Sequence, residues 1–307
     1  MYRLFRFAAI VIPRMPHWLV HFLSRVAGLL VWLVAKKSRD AATRNMIHVL
    51  GPQVLATRAG RRRLRRTVQK MLQNNVRNYT EVFTLPSLRP ETIRDSMQID
   101  NLEDLDAALA LGKGVILFSA HLGPFDYMMQ LATVLGYKVT IPVEPLKDQR
   151  MLDLMLNLRR SRGVEYVPLN GSSTMRTIIS ALRRNQIVLI TADRAIQGES
   201  VEKPFFGSMA HLPIGPVILS QRTGAALVGA FGWRAPGERP PMHGQIVPIS
   251  LALPEEERKN TDVLMERVVE TLEQFIKAHP EQWMVFTPLW VDQQVPDALE
   301  TPALNAT

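Results

Sequence analysis

Two side chains suited to proton transfer, His121 and Asp126, stand five positions apart in the stretch Gly112-Lys113-Gly114-Val115-Ile116-Leu117-Phe118-Ser119-Ala120-His121-Leu122-Gly123-Pro124-Phe125-Asp126. The apolar run Val115 to Phe118, bounded by glycines, predicts a buried strand, and Gly123-Pro124 turns the chain into an apolar-periodic helix. His121 then lies at the carboxyl end of a strand, where open α/β sheets keep their binding crevices. Asp126 falls in the first turn of the following helix, where the dipole favours a carboxylate. Across such a turn the carboxylate can accept a hydrogen bond from one ring nitrogen and leave the other free as a base. A capping aspartate beside a packed histidine fits the same residues, and this motif alone does not separate the two.

The elements that must hold these groups are legible in outline. Candidate strands are 114–120, 138–143, 165–168, 187–192, 225–233 and 244–249; candidate helices are 126–135, 149–160, 174–184, 213–223 and 261–278. The alternation predicts an α/β fold, a mostly parallel central sheet flanked by helices, with active-site residues on the loops at strand ends. The 307 residues, 47% of them hydrophobic, suffice for a sizeable core. The absence of cysteine excludes disulfides and thiolate metal sites.

The formal net charge of +9 has one address. Between Ala41 and Thr80 there is no acidic residue, while nine arginines and lysines occur there, from Arg44 to Arg77. Leu64, Val68, Leu72, Val76, Tyr79 and Phe83 keep helical spacing, and Arg62, Arg63, Arg66, Lys70 and Arg77 fall on the opposite face of the wheel. Such a helix suits an anionic surface. Nucleic acid is not expected as partner, because no aromatic residue interleaves the arginines from Arg58 to Lys70.

Ahead of it, Trp18 to Ala35 is apolar over 18 residues but carries His21, Ser24 and Arg25 near its middle. That is short for a span and reads as an interfacial or shallow membrane helix; an amphipathic core helix is the alternative. No small-residue cleavage site clearly follows it, which argues against a cleaved leader. The expected division is a membrane-associated helix over 1–37, a basic helical segment over 38–95, an α/β core over 96–292 and a flexible tail over 293–307.

There is no Gly-x-Ser-x-Gly elbow, no phosphate loop ending in Lys-Ser/Thr and no His-Glu-x-x-His. What remains is a histidine base without an enzyme nucleophile, which suits activation of a substrate hydroxyl for direct attack on an acyl donor. The stretch His121 to Asp126 resembles the His-x4-Asp/Glu motif of the lysophospholipid acyltransferase superfamily. Its surroundings resemble the lipid A late acyltransferase family, closest in pattern to the phosphatidylinositol mannoside acyltransferase branch. Further blocks carry the likeness: Asp193-Arg194 followed by Val201-Glu202-Lys203-Pro204-Phe205-Phe206-Gly207, Arg159 four residues before Gly163, and His279-Pro280-Glu281-Gln282-Trp283. Together they cover roughly residues 1 to 290. One departure is Met284-Val285-Phe286, where lipid A enzymes usually carry basic residues.

The resemblance implies an acyltransferase at the cytoplasmic face of the bacterial inner membrane, with no cofactor and no metal. The donor would be acyl-CoA or acyl carrier protein, and the acceptor a phosphate-containing membrane glycolipid of the phosphatidylinositol-mannoside type, or alternatively lipid A. It assigns His121 as base, Asp126 or Glu202 as the carboxylate that supports it, and Arg159, Arg194 and Asp193 as substrate-binding residues.

Overall fold

The structure is a computed structural model that describes residues 2–169, 171–195 and 198–291. The chain begins with helices α1 (Tyr2–Val11), α2 (His17–Val34), α3 (Lys36–Leu50), α4 (Arg58–Thr84) and α5 (Pro90–Arg94). Strands and helices then alternate: β1 (Met97–Asp100), α6 (Leu102–Ala110), β2 (Val115–Ser119), α7 (Phe125–Val134), β3 (Val139–Val143), α8 (Gln149–Arg159), β4 (Glu165–Pro168), α9 (Ser172–Arg183) and β5 (Ile187–Thr191). After these come β6 (Ser200–Phe205), β7 (Ser208–Pro213), α10 (Gly215–Thr223), β8 (Ala226–Arg234), β9 (Met242–Pro248), α11 (Glu255–Lys259) and α12 (Thr261–Ala278).

Seven strands form one sheet in the order β1-β9-β8-β2-β5-β3-β4. Neighbours run parallel except β8 and β9. The expected α/β architecture is therefore present. β2 is buried along its whole length between β8 and β5, as a continuous apolar run in a sheet covered on both faces requires.

The basic helix α4 belongs to the same core. Thr57 caps it by accepting from the Gly60 amide, and its inward stripe, Leu64, Val68 and Met71, packs in one cluster with Ile116 and Phe118 of β2. Its other apolar end, Val82, joins Tyr127 and Leu131 of α7 in a second cluster. α2 crosses α4 where Gly28 meets Gln73; a Cβ on Gly28 would come within 2.6 Å of the Gln73 Cα. Ser24 and Thr80 share a hydrogen bond at 2.8 Å across the same interface.

Beyond the strands expected from the sequence, the structure contains the separate β6–β7 hairpin. Its turn, Phe206-Gly207, has φ of 51° and 78°, both positive, as a tight hairpin demands. A phenylalanine there carries no turn signal in the sequence, so the hairpin escapes a pattern search. The short β1 and α6 escape likewise. The tail expected to be flexible begins at 293 and lies outside the described residues.

Candidate active site

The register of β2 against β5 builds the site. Ser119 pairs with Thr191, and the Ala192 amide donates to the Ser119 carbonyl at 2.8 Å, so the two chains leave the sheet side by side. Two residues beyond those partners stand His121 and Asp193. The Nδ1 of His121 lies 2.8 Å from Asp193 Oδ1, and the His121 backbone amide donates to Oδ2 at 2.9 Å.

Asp193 is fully buried, while the His121 side chain keeps about a quarter of its surface, 23%. Burial by itself would push the Asp193 carboxyl up. The charge of His121, hydrogen bonds from its ring and backbone, and a further bond from Trp283 outweigh that and hold Asp193 below the ordinary carboxylate range. An ionised Asp193 accepts the Nδ1 proton and selects that tautomer. Among the described residues Nε2 has no hydrogen-bond partner, which leaves it as the basic nitrogen.

The carboxylate on the His121 ring is thus neither Asp126 nor Glu202, the two expected there from the sequence. Asp126 turns away from the ring to Arg159 at the end of α8: Nη2 donates to Oδ2 at 2.9 Å and Nε lies 2.8 Å from Oδ1. A charge-assisted hydrogen bond from a permanently charged guanidinium is the stronger claim on a carboxylate, and five residues of turn and helix give Asp126 the freedom to face it. Burial works against the charge on Arg159, but Asp126 more than compensates and raises its basicity. Glu202 sits half-exposed on β6, 3.6 Å from His211 across the hairpin.

Arg194 reaches Glu144, just past β3, at 3.4 Å. Glu144 was not among the sequence candidates; it enters because β3 neighbours β5. Ser119 is buried in β2, as a packing residue would be.

The block around Trp283 is a strap over the His121 turn. The Gly123 amide donates to the Gln282 carbonyl at 2.9 Å and the Met284 amide to the His121 carbonyl at 2.7 Å. Gln282 is itself pinned to β8, its Oε1 accepting from the Arg234 amide at 2.8 Å and its Nε2 donating to the Arg234 carbonyl at 2.9 Å. The Trp283 indole N–H donates to Asp193 Oδ2 at 2.7 Å. From the other side Asn78 of α4 donates to the Gly123 carbonyl at 2.8 Å. Gly123 has φ +62°, and a Cβ on it would lie 2.1 Å from the Gly232 carbonyl oxygen. Only glycine fits that turn.

The chain matches the family described as bacterial lipid A biosynthesis acyltransferase over residues 3–292. It is 28% identical over 281 residues to a phosphatidylinositol mannoside acyltransferase of Mycobacterium tuberculosis, covering 85% of this chain and 86% of that protein. A protein of the same name from Mycolicibacterium smegmatis is 25% identical over 235 residues, covering 73% and 72%. With the family match spanning nearly the whole chain, this protein is an acyltransferase and belongs to the bacterial lipid A biosynthesis acyltransferase family.

Proposed function

We propose that the protein transfers a fatty acyl group from an acyl thioester, carried on coenzyme A or acyl carrier protein, to a hydroxyl of a phosphate-containing glycolipid of the phosphatidylinositol-mannoside type. The observation that carries the mechanism is the buried Asp193 on Nδ1 of His121, which leaves Nε2 bare at the mouth of the central strand. Nε2 takes the proton of the acceptor hydroxyl, and the oxygen forms an ester bond with the thioester carbonyl carbon. The carbon–sulfur bond breaks, and the departing thiolate recovers the proton from the imidazolium. No covalent enzyme intermediate is needed. General-base assistance of this kind contributes about 10² to 10⁴ in rate.

Arg194, with one long contact to Glu144, has donors to spare for a phosphate or a developing oxyanion. Arg159 has its fork directed at Asp126, so in this reading it fixes the first turn of α7 behind the base. The acceptor class rests on the names of the relatives and on the chain after Trp283. Met284 and Val285 are buried apolar residues, where a lipid A site would present cations.

A bilayer surface is the proposed working place. Leu4, Phe7 and Ile10 of α1 and Trp18, Phe22, Leu30 and Leu33 of α2 are all more than half exposed, an apolar face unlike that of a monomer in water. Arg58, Arg62, Arg63, Arg66 and Lys70 line a groove on neighbouring α4. No single helix among the described residues is long and apolar enough to cross a membrane, while α2 and α3 together, bent by 92° between them, have the length and composition of a broken span.

His121→Ala in the purified protein is expected to abolish acyl transfer from a long-chain acyl-CoA to a phosphatidylinositol mannoside in mixed micelles, with the fold intact by circular dichroism. Substantial activity in that folded variant would refute the assignment of the base. Mass spectrometry of lipids from a deletion strain identifies the acceptor as the glycolipid that loses one acyl chain; loss of an acyl chain from lipid A instead would overturn the acceptor class.

A further inference from the structure

The two oxygens of Asp193 do different work. Oδ1 faces the imidazole, whereas Oδ2 accepts two N–H groups, the His121 amide at 2.9 Å and the Trp283 indole at 2.7 Å. The contacts to the ring and the amide both come from His121 itself, so Trp283 is the donor that ties this carboxylate to a separate element.

Trp283 is built to be that element. It is fully buried, and its ring is met edge-on by Phe205 at 6.4 Å and Trp290 at 6.5 Å. Its backbone lies between the two hydrogen bonds that tie the strap to Gly123 and His121, and Leu122 bridges to Trp283 itself. The indole therefore cannot move without disturbing the same turn that carries the base. A phenylalanine could fill much of the space but would bring no donor; the indole supplies both the ring and the N–H.

We propose that Trp283 is a positioning residue for acyl transfer, its indole N–H clamping Asp193 Oδ2 so that Oδ1 stays aimed at His121 Nδ1. The proposal rests on His121 being the base and adds a third member to the pair.

The test replaces the donor and keeps the ring. Trp283→Phe removes the N–H, and 3-benzothienylalanine installed at position 283 removes it with almost no change of shape, so packing is preserved if the phenylalanine variant fails to fold. In the long-chain acyl-CoA and phosphatidylinositol mannoside assay, kcat should fall about tenfold or more, the scale of lost outer-shell contacts, with KM unchanged. With one donor fewer, the carboxylate becomes a stronger acceptor and favours the charged imidazole, so the acid limb of the kcat/KM profile should move to higher pH. Combined with Asp193→Asn, the substitution should cost little beyond Asp193→Asn alone, because both act through one carboxylate.

A benzothienylalanine variant with wild-type kcat and an unmoved acid limb overturns the proposal, and so does a loss that simply multiplies with that of Asp193→Asn. These outcomes differ from activity surviving in His121→Ala, which would remove the base itself.

Discussion

An imidazole is a base at one nitrogen only when the other nitrogen's proton is held in place, and at this site the hold comes from a carboxylate whose two oxygens are not interchangeable. Both N–H donors on Oδ2 would recruit the carbonyl oxygen of an asparagine in place of Asp193. The amide NH2 would then face Nδ1, force the ring into the opposite tautomer and place the proton on Nε2. Asp193→Asn is accordingly expected to lower kcat by about 10² to 10⁴, measured by steady-state kinetics on the folded protein.

Asp126→Asn should behave differently. It leaves Arg159 without its counter-charge and should cost about 3 kcal/mol or more of stability, seen as a lower denaturant midpoint. Glu202→Gln, which touches only an exposed pair with His211, should change kcat by no more than about fivefold.

At the scale of elements, the His121 turn is clamped between α4 and the strap. Gly123→Ala would place a methyl group into the Gly232 carbonyl, and backbone on both sides prevents retreat. The expected outcome is protein that is insoluble or melts far below wild type, read by differential scanning fluorimetry.

Behind the turn, the partly buried Glu81 of α4 pairs with the buried Arg234 of β8 and with the more exposed Arg77. Burial would raise its carboxyl, but the two guanidiniums and their hydrogen bonds hold it below the ordinary range, as the surroundings of Asp193 do there. A carboxyl depressed in the folded state adds stability above its unfolded value and loses it as pH falls through the folded one. The melting temperature should therefore be steady from about pH 5 upward and drop below about pH 4, near the unfolded values of such groups. Glu81→Gln should be less stable at pH 7 and show a shallower acid slope, in thermal melts across that range.

For the whole molecule, the exposed apolar residues of α1 and α2 neighbour α4, which holds both the arginine groove and Asn78 at the His121 turn. A bilayer contact on this side would be continuous with the elements gripping the His121 turn. Phe7→Ser with Phe22→Ser should weaken sedimentation with anionic vesicles at all salt concentrations. Arg62→Glu with Arg66→Glu should weaken it chiefly at low salt, each basic residue being worth about 1 kcal/mol near such a surface. Vesicle binding unaffected by either pair would remove these helices from the membrane contact.

Local pattern alone sufficed for the strand, turn and helix around His121, the alternation that makes an α/β sheet, and the basic amphipathic helix at Arg58 to Thr84. Each rests on neighbours in sequence: apolar period, glycine, proline and charge. The carboxylate partner of the His121 ring did not follow from such patterns. Asp126 is the carboxylate nearest His121 along the chain, yet Arg159 claims it, while Asp193, 72 residues away, reaches the ring. That choice depends on β5 lying beside β2 although β3 and β4 intervene in sequence. Parallel strands join through long crossovers, so their order is settled by packing the sheet and its helices as a whole, and no local spacing records it. The same holds for Trp283, legible only as part of a recurring block until the fold laid it against the site.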